Sequence, residues 1–342
     1  MRWLGPVLLL AACEGGAGAP RDASSDWPAT NGPLPSESSA VAKQATLGRL
    51  LFYDPILSGD GQTACATCHS ELWGMSDGLP RSVGQGAGLL AGPGRRGPNV
   101  LTRNAPTLWN VAFRTELMWD GREPSLEAQV LMPLHADSEL GLDPDEAARR
   151  IASSPDYVAR FAAAFPKAPD VSVAHVQAAI AAFERTLIAD DSLWDAWRDG
   201  DARALSDAQV RGYDVFVASG CDGCHVPPLF ESDVFAVRRA GDDLGRMLVT
   251  EDVHDRGAFR TPTLRNMRES GPYFHDGAVV ELHDAIVSEL DVDGVTLAPA
   301  DLDALVSFVG RALVDVSRAP DRPDTVPSGL PLPEDGFRIV RP

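Results

Sequence analysis

The sequence predicts a mainly helical protein of two domains with long irregular loops, and three observations support this. The pentapeptide C-x-x-C-H occurs twice, at residues 65–69 and 221–225, each time within its own globular stretch. Apolar residues recur at helical spacing in most of the periodic segments, and no run alternates in the way that a sheet requires. A chain of 342 residues is long enough for two domains of ordinary size.

The C-x-x-C-H motif is the attachment signature of c-type haem. Two cysteine thiols form thioethers with the porphyrin vinyl groups, and the histidine binds the iron from the proximal side. Two copies are difficult to explain as zinc half-sites or redox disulfides. The sequence therefore predicts two covalently bound haem c groups, held by Cys65, Cys68, His69, Cys221, Cys224 and His225.

The helices follow from apolar periodicity and from capping residues. We expect helices over 41–52, 173–188, 282–290 and 302–314. Asp143 followed by Pro144 predicts a further helix start, and Ser206 with Gln209 forms a capping box ahead of a helix that ends at Ala218. The loops between them are rich in Gly and Pro, notably 84–98. Helices joined by long loops are typical of small cytochromes, in which the haem replaces part of the core.

The repeated motif also divides the chain. We expect an N-terminal haem domain at 41–190, a C-terminal haem domain at 191–317 and an irregular tail at 318–342. Residues 13–40 are rich in Gly, Ala, Pro and Ser and predict a flexible tether.

The N-terminus indicates export. Residues 1–12 have a short positive start and a short apolar stretch, as a signal peptide does. They end in Leu-Ala-Ala ahead of Cys13, which resembles a lipobox, so Cys13 is expected to carry a lipid anchor; the alternative is an ordinary secretory peptide with an incidental cysteine. Either way the sequence predicts a protein on the periplasmic side of the bacterial envelope, with membrane contact only through the anchor.

The net charge of −19 bears on partners. Acidic residues spread along the chain disfavour nucleic acid. They suit a basic redox partner, or serve solubility alone.

Several ordered motifs between residues 48 and 314 carry a family resemblance. They are the segments 51–61, 77–80, 103–107 and 119–122 in the first half, and 261–266 and 272–277 in the second. In these the chain resembles the bacterial di-haem cytochrome c peroxidases and their MauG-type relatives. The resemblance implies two cytochrome-c-like domains, a peroxide site at the N-terminal haem and an electron-transfer site at the C-terminal haem.

The resemblance also implies the catalytic residues. Heterolysis of peroxide needs an open iron position, a group that moves a proton and a polar group that orients the substrate. By position in the motifs, Glu139 is expected to be the distal acid–base residue, Gln129 its polar partner and Trp119 the electron relay between the haems. A calcium ion is implied between the haems, with Asn104 and the backbone carbonyls of Ser270 and Pro272 as ligands. His275 matches a residue close to the second haem.

Two positions depart from the classical pattern. Gln85 stands where a histidine caps the resting peroxide-site iron, and a glutamine amide is a poor iron ligand. We therefore expect an N-terminal iron that is already open when fully oxidised, unless His135 fills the position. At the second haem, the place of the distal ligand falls on Glu289, with His283 and Met267 as alternatives.

Three functions remain open at this point. The first is a peroxidase that takes electrons from a small cytochrome c or a copper protein of the cupredoxin type. The second is a MauG-like enzyme that oxidises residues of a partner protein, which Gln85 and the missing methionine favour. The third is an electron carrier without catalysis, which would have no need of Gln129 and Glu139.

Overall fold

The computed structural model describes residues 39–239 and 241–335. The predicted signal peptide, Cys13 and most of the predicted tether lie outside the described residues.

The described chain is mainly helical, which confirms the predicted fold class. Its α-helices are α1 (Ala40–Tyr53), α2 (Cys65–Cys68), α3 (Leu126–His135), α4 (Pro144–Ala152), α5 (Pro155–Ala164), α6 (Val173–Glu184), α7 (Leu193–Arg198), α8 (Asp207–Ala218), α9 (Met247–Thr250), α10 (Leu282–Val292) and α11 (Pro299–Ser307). The described residues also form four two-residue strands: β1 (Leu90–Ala91) pairs in parallel with β4 (Glu334–Asp335), and β2 (Phe235–Ala236) pairs antiparallel with β3 (Phe259–Arg260). None of the described helices has the length and apolar character needed to cross a membrane.

The predicted caps form as expected. The Asp143 carboxylate accepts hydrogen bonds from the backbone N–H groups of Asp145 and Glu146 at the start of α4. Ser206 and Gln209 make a reciprocal capping box at the start of α8. Both arrangements satisfy backbone donors that have no partner inside the helix.

The two halves pack around separate apolar cores with the same helix crossing. In the first half α1 crosses α6, and a Cβ at Gly48 would collide with the carbonyl group of Ala179. In the second half α8 crosses α11, where Gly212 meets the carbonyl of Ala304 in the same way. A glycine at each crossing lets the two backbones approach directly.

Two helices differ from the sequence prediction by more than two residues at an end. The helix expected over 173–188 ends at Glu184, and beyond it Asn110 hydrogen-bonds both the backbone N–H and the carbonyl of Ala189. The helix expected over 302–314 begins earlier, at Pro299, and continues from Phe308 to Ala312 as a π-helix. Beyond it, Asn266 holds Asp315 through the same pair of bonds.

The tail returns to the first domain. Val326 is buried in the first core, and the Ser328 hydroxyl donates to the Asp54 carboxylate at 2.6 Å. Arg322 pairs with Glu71 at 2.8 Å, and β4 adds to β1. The described part of the tail contains no helix.

Ion pairs and reciprocal backbone bonds join the domains. Arg103 of the first domain binds both carboxylate oxygens of Asp243, at 2.7 and 2.8 Å. The backbone N–H of Arg260 donates to the carbonyl of Trp119, and that of Asn104 donates to the carbonyl of His275, each at 2.8 Å. These contacts fix the two motif-bearing regions against each other.

Candidate active site

The first haem motif lies on the short helix α2 and presents its histidine for metal binding. Nδ1 of His69 lies 3.1 Å from the carbonyl oxygen of Met75. A proton on Nδ1 satisfies that carbonyl and leaves Nε2 as the iron ligand. Burial lowers the pKa of His69 to about 4, so the ring is neutral at neutral pH, as a ligand must be.

The second motif repeats this arrangement on a 3₁₀ turn, Cys221–Gly223. Nδ1 of His225 lies 3.1 Å from the carbonyl oxygen of Phe230 and 3.0 Å from that of Pro262. Burial lowers the pKa of His225 to about 4. In the described parts of the chain, no group of three or more His, Cys, Asp or Glu side chains could hold a metal ion.

A first cavity of about 780 Å³ surrounds Cys65, Cys68 and His69. The predicted catalytic residues Glu139, Gln129 and Trp119 all line it, although they come from separate segments of the chain. Burial raises the pKa of Glu139, against the opposing effect of the Arg122 charge. The Gln129 amide nitrogen lies 3.8 Å from the sulfur of Met118. An acid–base group and an amide therefore face the same space as the first histidine.

Gln85 does not line this cavity. Its side-chain amide donates to the carbonyl of Asp137 at 2.8 Å, and its backbone N–H donates to the carbonyl of Glu139 at 2.8 Å. Gln85, the residue expected in place of the histidine, thus fastens the loop that carries Glu139. His135 is exposed and lies outside the cavity lining.

A second cavity of about 180 Å³ surrounds Cys221, Cys224 and His225. Of the three candidates for its distal ligand, Glu289 and Met267 line it, whereas His283 is exposed and pairs with Asp284. The Glu289 carboxylate accepts from Nε of Arg238 at 2.6 Å, and burial raises the pKa of Glu289. His275 also lines the cavity, and its ring stacks on Phe259 with 3.6 Å between centroids.

Trp119 lies between the two sites. It lines the first cavity, the second cavity and a small linking cavity of about 70 Å³. Its indole N–H donates to the carbonyl of Asn104 at 2.9 Å, which fixes the ring plane. The predicted calcium ligands Asn104, Ser270 and Pro272 all line the linking cavity.

Comparison with known proteins identifies the family. The profile of the di-haem cytochrome c peroxidase family matches residues 42–203. The methylamine utilization protein MauG of Methylorubrum extorquens is 36% identical over 292 residues, which cover 81% of this chain and 80% of that protein. The cytochrome c551 peroxidase of Pseudomonas aeruginosa is 36% identical over 280 residues, 78% of each chain.

The chain belongs to the di-haem cytochrome c peroxidase family. This di-haem peroxidase is a peroxide-dependent oxidoreductase whose cofactors are two c-type haems. A crystal structure described as a MauG-like protein associated with microbial copper homeostasis has the same fold, with a TM-score of 0.72 and 26% identity over 86% of this chain and 95% of that one. The diheme peroxidase BthA of Burkholderia thailandensis, 22% identical, shares the fold with a TM-score of 0.64 over 89% of this chain and 96% of that one.

The residues of this di-haem peroxidase fit two haems. Each cavity is lined by both cysteines and the histidine of one motif. The second cavity also holds buried guanidinium nitrogens without a hydrogen-bond partner, on Arg239 and Arg260, which suit the anionic edge of a haem.

Sequence reasoning missed some residues of these sites. The motif comparison did not indicate Glu184, a buried carboxyl at the end of α6 that lines the first cavity, nor Arg260. A signal for Arg260 was present, because it precedes Thr-Pro-Thr as Asn104 precedes Ala-Pro-Thr.

Proposed function

We propose that this di-haem peroxidase reduces hydrogen peroxide at the first cavity with electrons that enter at the second. One peroxide, two electrons and two protons give two molecules of water. The observation that carries the proposal is that Glu139 and Gln129 line the cavity of His69 while Trp119 lines both haem cavities.

The first haem, when bound, supplies an open coordination position and redox equivalents for peroxide cleavage. Glu139 takes a proton from one peroxide oxygen and returns it to the other, the departing one. Burial raises the pKa of its carboxyl and brings it closer to the operating pH, which improves a proton-transfer catalyst. The Gln129 amide supplies a polar contact that orients the peroxide.

Trp119 passes electrons from the second site to the first. Its ring is oxidisable and lines all three cavities, and its hydrogen bond to Asn104 holds the indole in one orientation. The hydrogen bond from the backbone N–H of Arg260 to the carbonyl of Trp119 also fixes Trp119 to the second domain.

We propose that the first iron, with its haem bound, would be open in the fully oxidised protein and would need no reductive activation. Two observations support this proposal. Gln85 is fastened outside the first cavity, and His135 is exposed.

Glu289 is proposed as the residue that would bind the second iron when its haem is present. It lines the second cavity, and Arg238 holds one of its oxygens. A carboxylate ligand would stabilise ferric iron and lower the reduction potential of this haem. Met267 is the alternative, since it lines the same cavity, and would have the opposite effect on the potential.

A calcium ion in the linking cavity is also part of the proposal. The amide oxygen of Asn104 with carbonyls of Ser270 and Pro272 offers neutral oxygen ligands, which calcium accepts together with water. Calcium removal by a chelator should lower the melting temperature and slow electron transfer between the haems. The same treatment of an N104A variant should have no further effect.

The electron donor is proposed to be a small cytochrome c or cupredoxin on the periplasmic side of the envelope, where Cys13 would anchor the enzyme. The net charge of −19 would favour a donor with a basic docking face. Metabolic labelling with a fatty acid, compared between the full-length protein and a C13S variant, tests the anchor.

The second candidate is oxidation of residues on a partner protein. It is favoured by Gln85 and by the similarity to MauG. Mixing the fully ferric enzyme with stoichiometric peroxide separates the candidates. Turnover with a small donor cytochrome supports the peroxidase, whereas a long-lived state two equivalents above ferric supports the second candidate. An unresponsive, entirely low-spin spectrum would contradict both.

A further inference from the structure

Two arginines line the second cavity with donors that no described residue accepts. Nε of Arg260 and Nε of Arg239 are both buried and without a hydrogen-bond partner in the described chain. Arg260 as a whole is only 6% exposed. Buried guanidinium donors are nearly always paired, so two in one cavity indicate an anionic group that the protein atoms do not supply.

The nearby carboxylates are already engaged. Glu289 and Asp293 are both bound by Arg238, the third arginine of this cavity. The terminal nitrogens of Arg260 face Asp233 at 2.9 Å and Glu231 at 3.6 Å. The nearest carboxylate oxygen to Nε of Arg239 is 3.7 Å away, on Asp276, which is beyond hydrogen-bond distance.

The missing partners match the cofactor. A c-type haem carries two propionates, and an arginine binds a carboxylate by charge-assisted hydrogen bonds in a defined plane. We propose that Arg260 and Arg239 each bind one propionate of the second haem. This assignment requires only that the second motif carries haem.

Arg260 also connects the propionate site with Trp119. Its backbone N–H donates to the carbonyl of Trp119 at 2.8 Å, and Arg260 lines both the second cavity and the linking cavity. A propionate held by Arg260 is therefore fixed relative to Trp119. Arg260 acts as a positioning residue for electron transfer, and this consequence rests on the proposed role of Trp119.

The test uses the holoenzyme with Arg260→Gln and Arg239→Gln, and Arg211→Gln as the control. Arg211 lies on α8 with an exposed side chain and pairs with Asp301. The readouts are the propionate vibrations in resonance Raman spectra of the half-reduced protein, where the two haems absorb differently, and the midpoint potential of each haem.

We expect shifted propionate vibrations and a lower potential at the second haem in both arginine variants, with the first haem and the control unchanged. Arg260→Lys keeps the positive charge but loses the planar guanidinium. Its midpoint potential should therefore be closer to the wild-type value than its propionate vibrations are. If Arg260→Gln fails to acquire its haems, Arg260→Lys provides the test instead.

Unchanged propionate vibrations in the Arg260 and Arg239 variants would overturn the proposal, whatever happens to peroxide turnover. Slower turnover of Trp119→Phe has no bearing on it, because that variant keeps both arginines. Normal turnover of Trp119→Phe together with shifted vibrations in the arginine variants would support the propionate site and contradict the electron relay through Trp119.

Discussion

Trp119 and His275 are equivalent residues of the two domains. The backbone carbonyl of each accepts a hydrogen bond of 2.8 Å from a backbone N–H group of the other domain. Trp119 receives its bond from Arg260 and His275 receives its bond from Asn104. Each is followed by Asp-Gly in the sequence and faces the second cavity. The pairing makes one rigid unit of the region between the haems, so Trp119 cannot shift without disturbing both domains.

Replacing Glu139 with Gln should slow the reaction with peroxide by roughly 10²- to 10⁴-fold, the usual contribution of a positioned acid–base group. The amide keeps the shape of the side chain but moves no proton. Stopped-flow mixing of the ferric enzyme with peroxide measures the rate. His135→Gln is the control, because His135 ends the neighbouring helix α3 but is exposed outside the cavity. An unimpaired Glu139→Gln variant would remove Glu139 from the mechanism.

Trp119→Phe should slow electron transfer between the haems by about tenfold or more, which corresponds to a barrier higher by about 1.4 kcal/mol. Phenylalanine fills most of the space but is hard to oxidise and loses the hydrogen bond to Asn104. The measurement is reoxidation of the second haem after peroxide is added to the half-reduced enzyme. Trp109→Phe, a substitution in the first core, is the control for loss of an indole elsewhere. Equal rates in both variants would argue against a relay.

Gln85→Ala should leave the fully ferric enzyme reactive towards stoichiometric peroxide without prior reduction. The side chain of Gln85 lies outside the first cavity, so its removal neither opens nor closes the iron position. The loss of the bond to Asp137 should cost about 0.5–1.5 kcal/mol of stability. The measurements are the ferric spectrum before and after peroxide, and urea unfolding. A requirement for prior reduction in the wild-type enzyme would contradict an open iron.

Asp195→Asn should destabilise the second domain by about 3–5 kcal/mol, the cost of removing the charge of one member of a buried ion pair. Both carboxylate oxygens of Asp195 accept from the fully buried Arg265, each at 2.7 Å. Asp199→Asn is the control, since that side chain is exposed and its pair with Arg198 should contribute only about 0–1 kcal/mol. Denaturant unfolding monitored at the second haem compares the two. Similar midpoints would show that the buried pair is not needed for stability.

The buried Glu184 predicts a stability that falls as the pH rises. Burial raises its pKa to about 8 in the folded protein, whereas an unfolded glutamate has a pKa of about 4.3. Between these values the unfolded state releases a proton that the folded state keeps, so stability declines until about pH 8 and then levels off.

Glu184→Gln should therefore be more stable than the wild type at pH 8 and similar at pH 5. Urea unfolding at the two pH values measures the difference, with the exposed Glu269→Gln as the control. A pH dependence identical to that of the wild type would show that Glu184 does not retain its proton on folding.

The sequence by itself determined the covalent chemistry and the local structure. Cys65, Cys68 and His69, with their counterparts in the second motif, are adjacent in the chain, so a single helical turn suffices to bring them together. Helix starts at Asp143 and Ser206 depend on residues within three positions of the cap, and they form as predicted. The motif resemblance also selected Glu139, Gln129 and Trp119, which the fold brings to one cavity.

Only the tertiary structure decided which segments distant in sequence contact one another. The side chain of Gln85 is held outside the first cavity by its hydrogen bond to the Asp137 carbonyl. The C-terminal tail packs on the first domain through Asp54 and the first core. The position of Ala189, beyond the helix end at Glu184, depends on Asn110, far away in sequence. The unpaired donors of Arg239 and Arg260 appear only once the neighbouring carboxylates are seen to be engaged. Such contacts arise from the packing of distant segments, which no local pattern encodes.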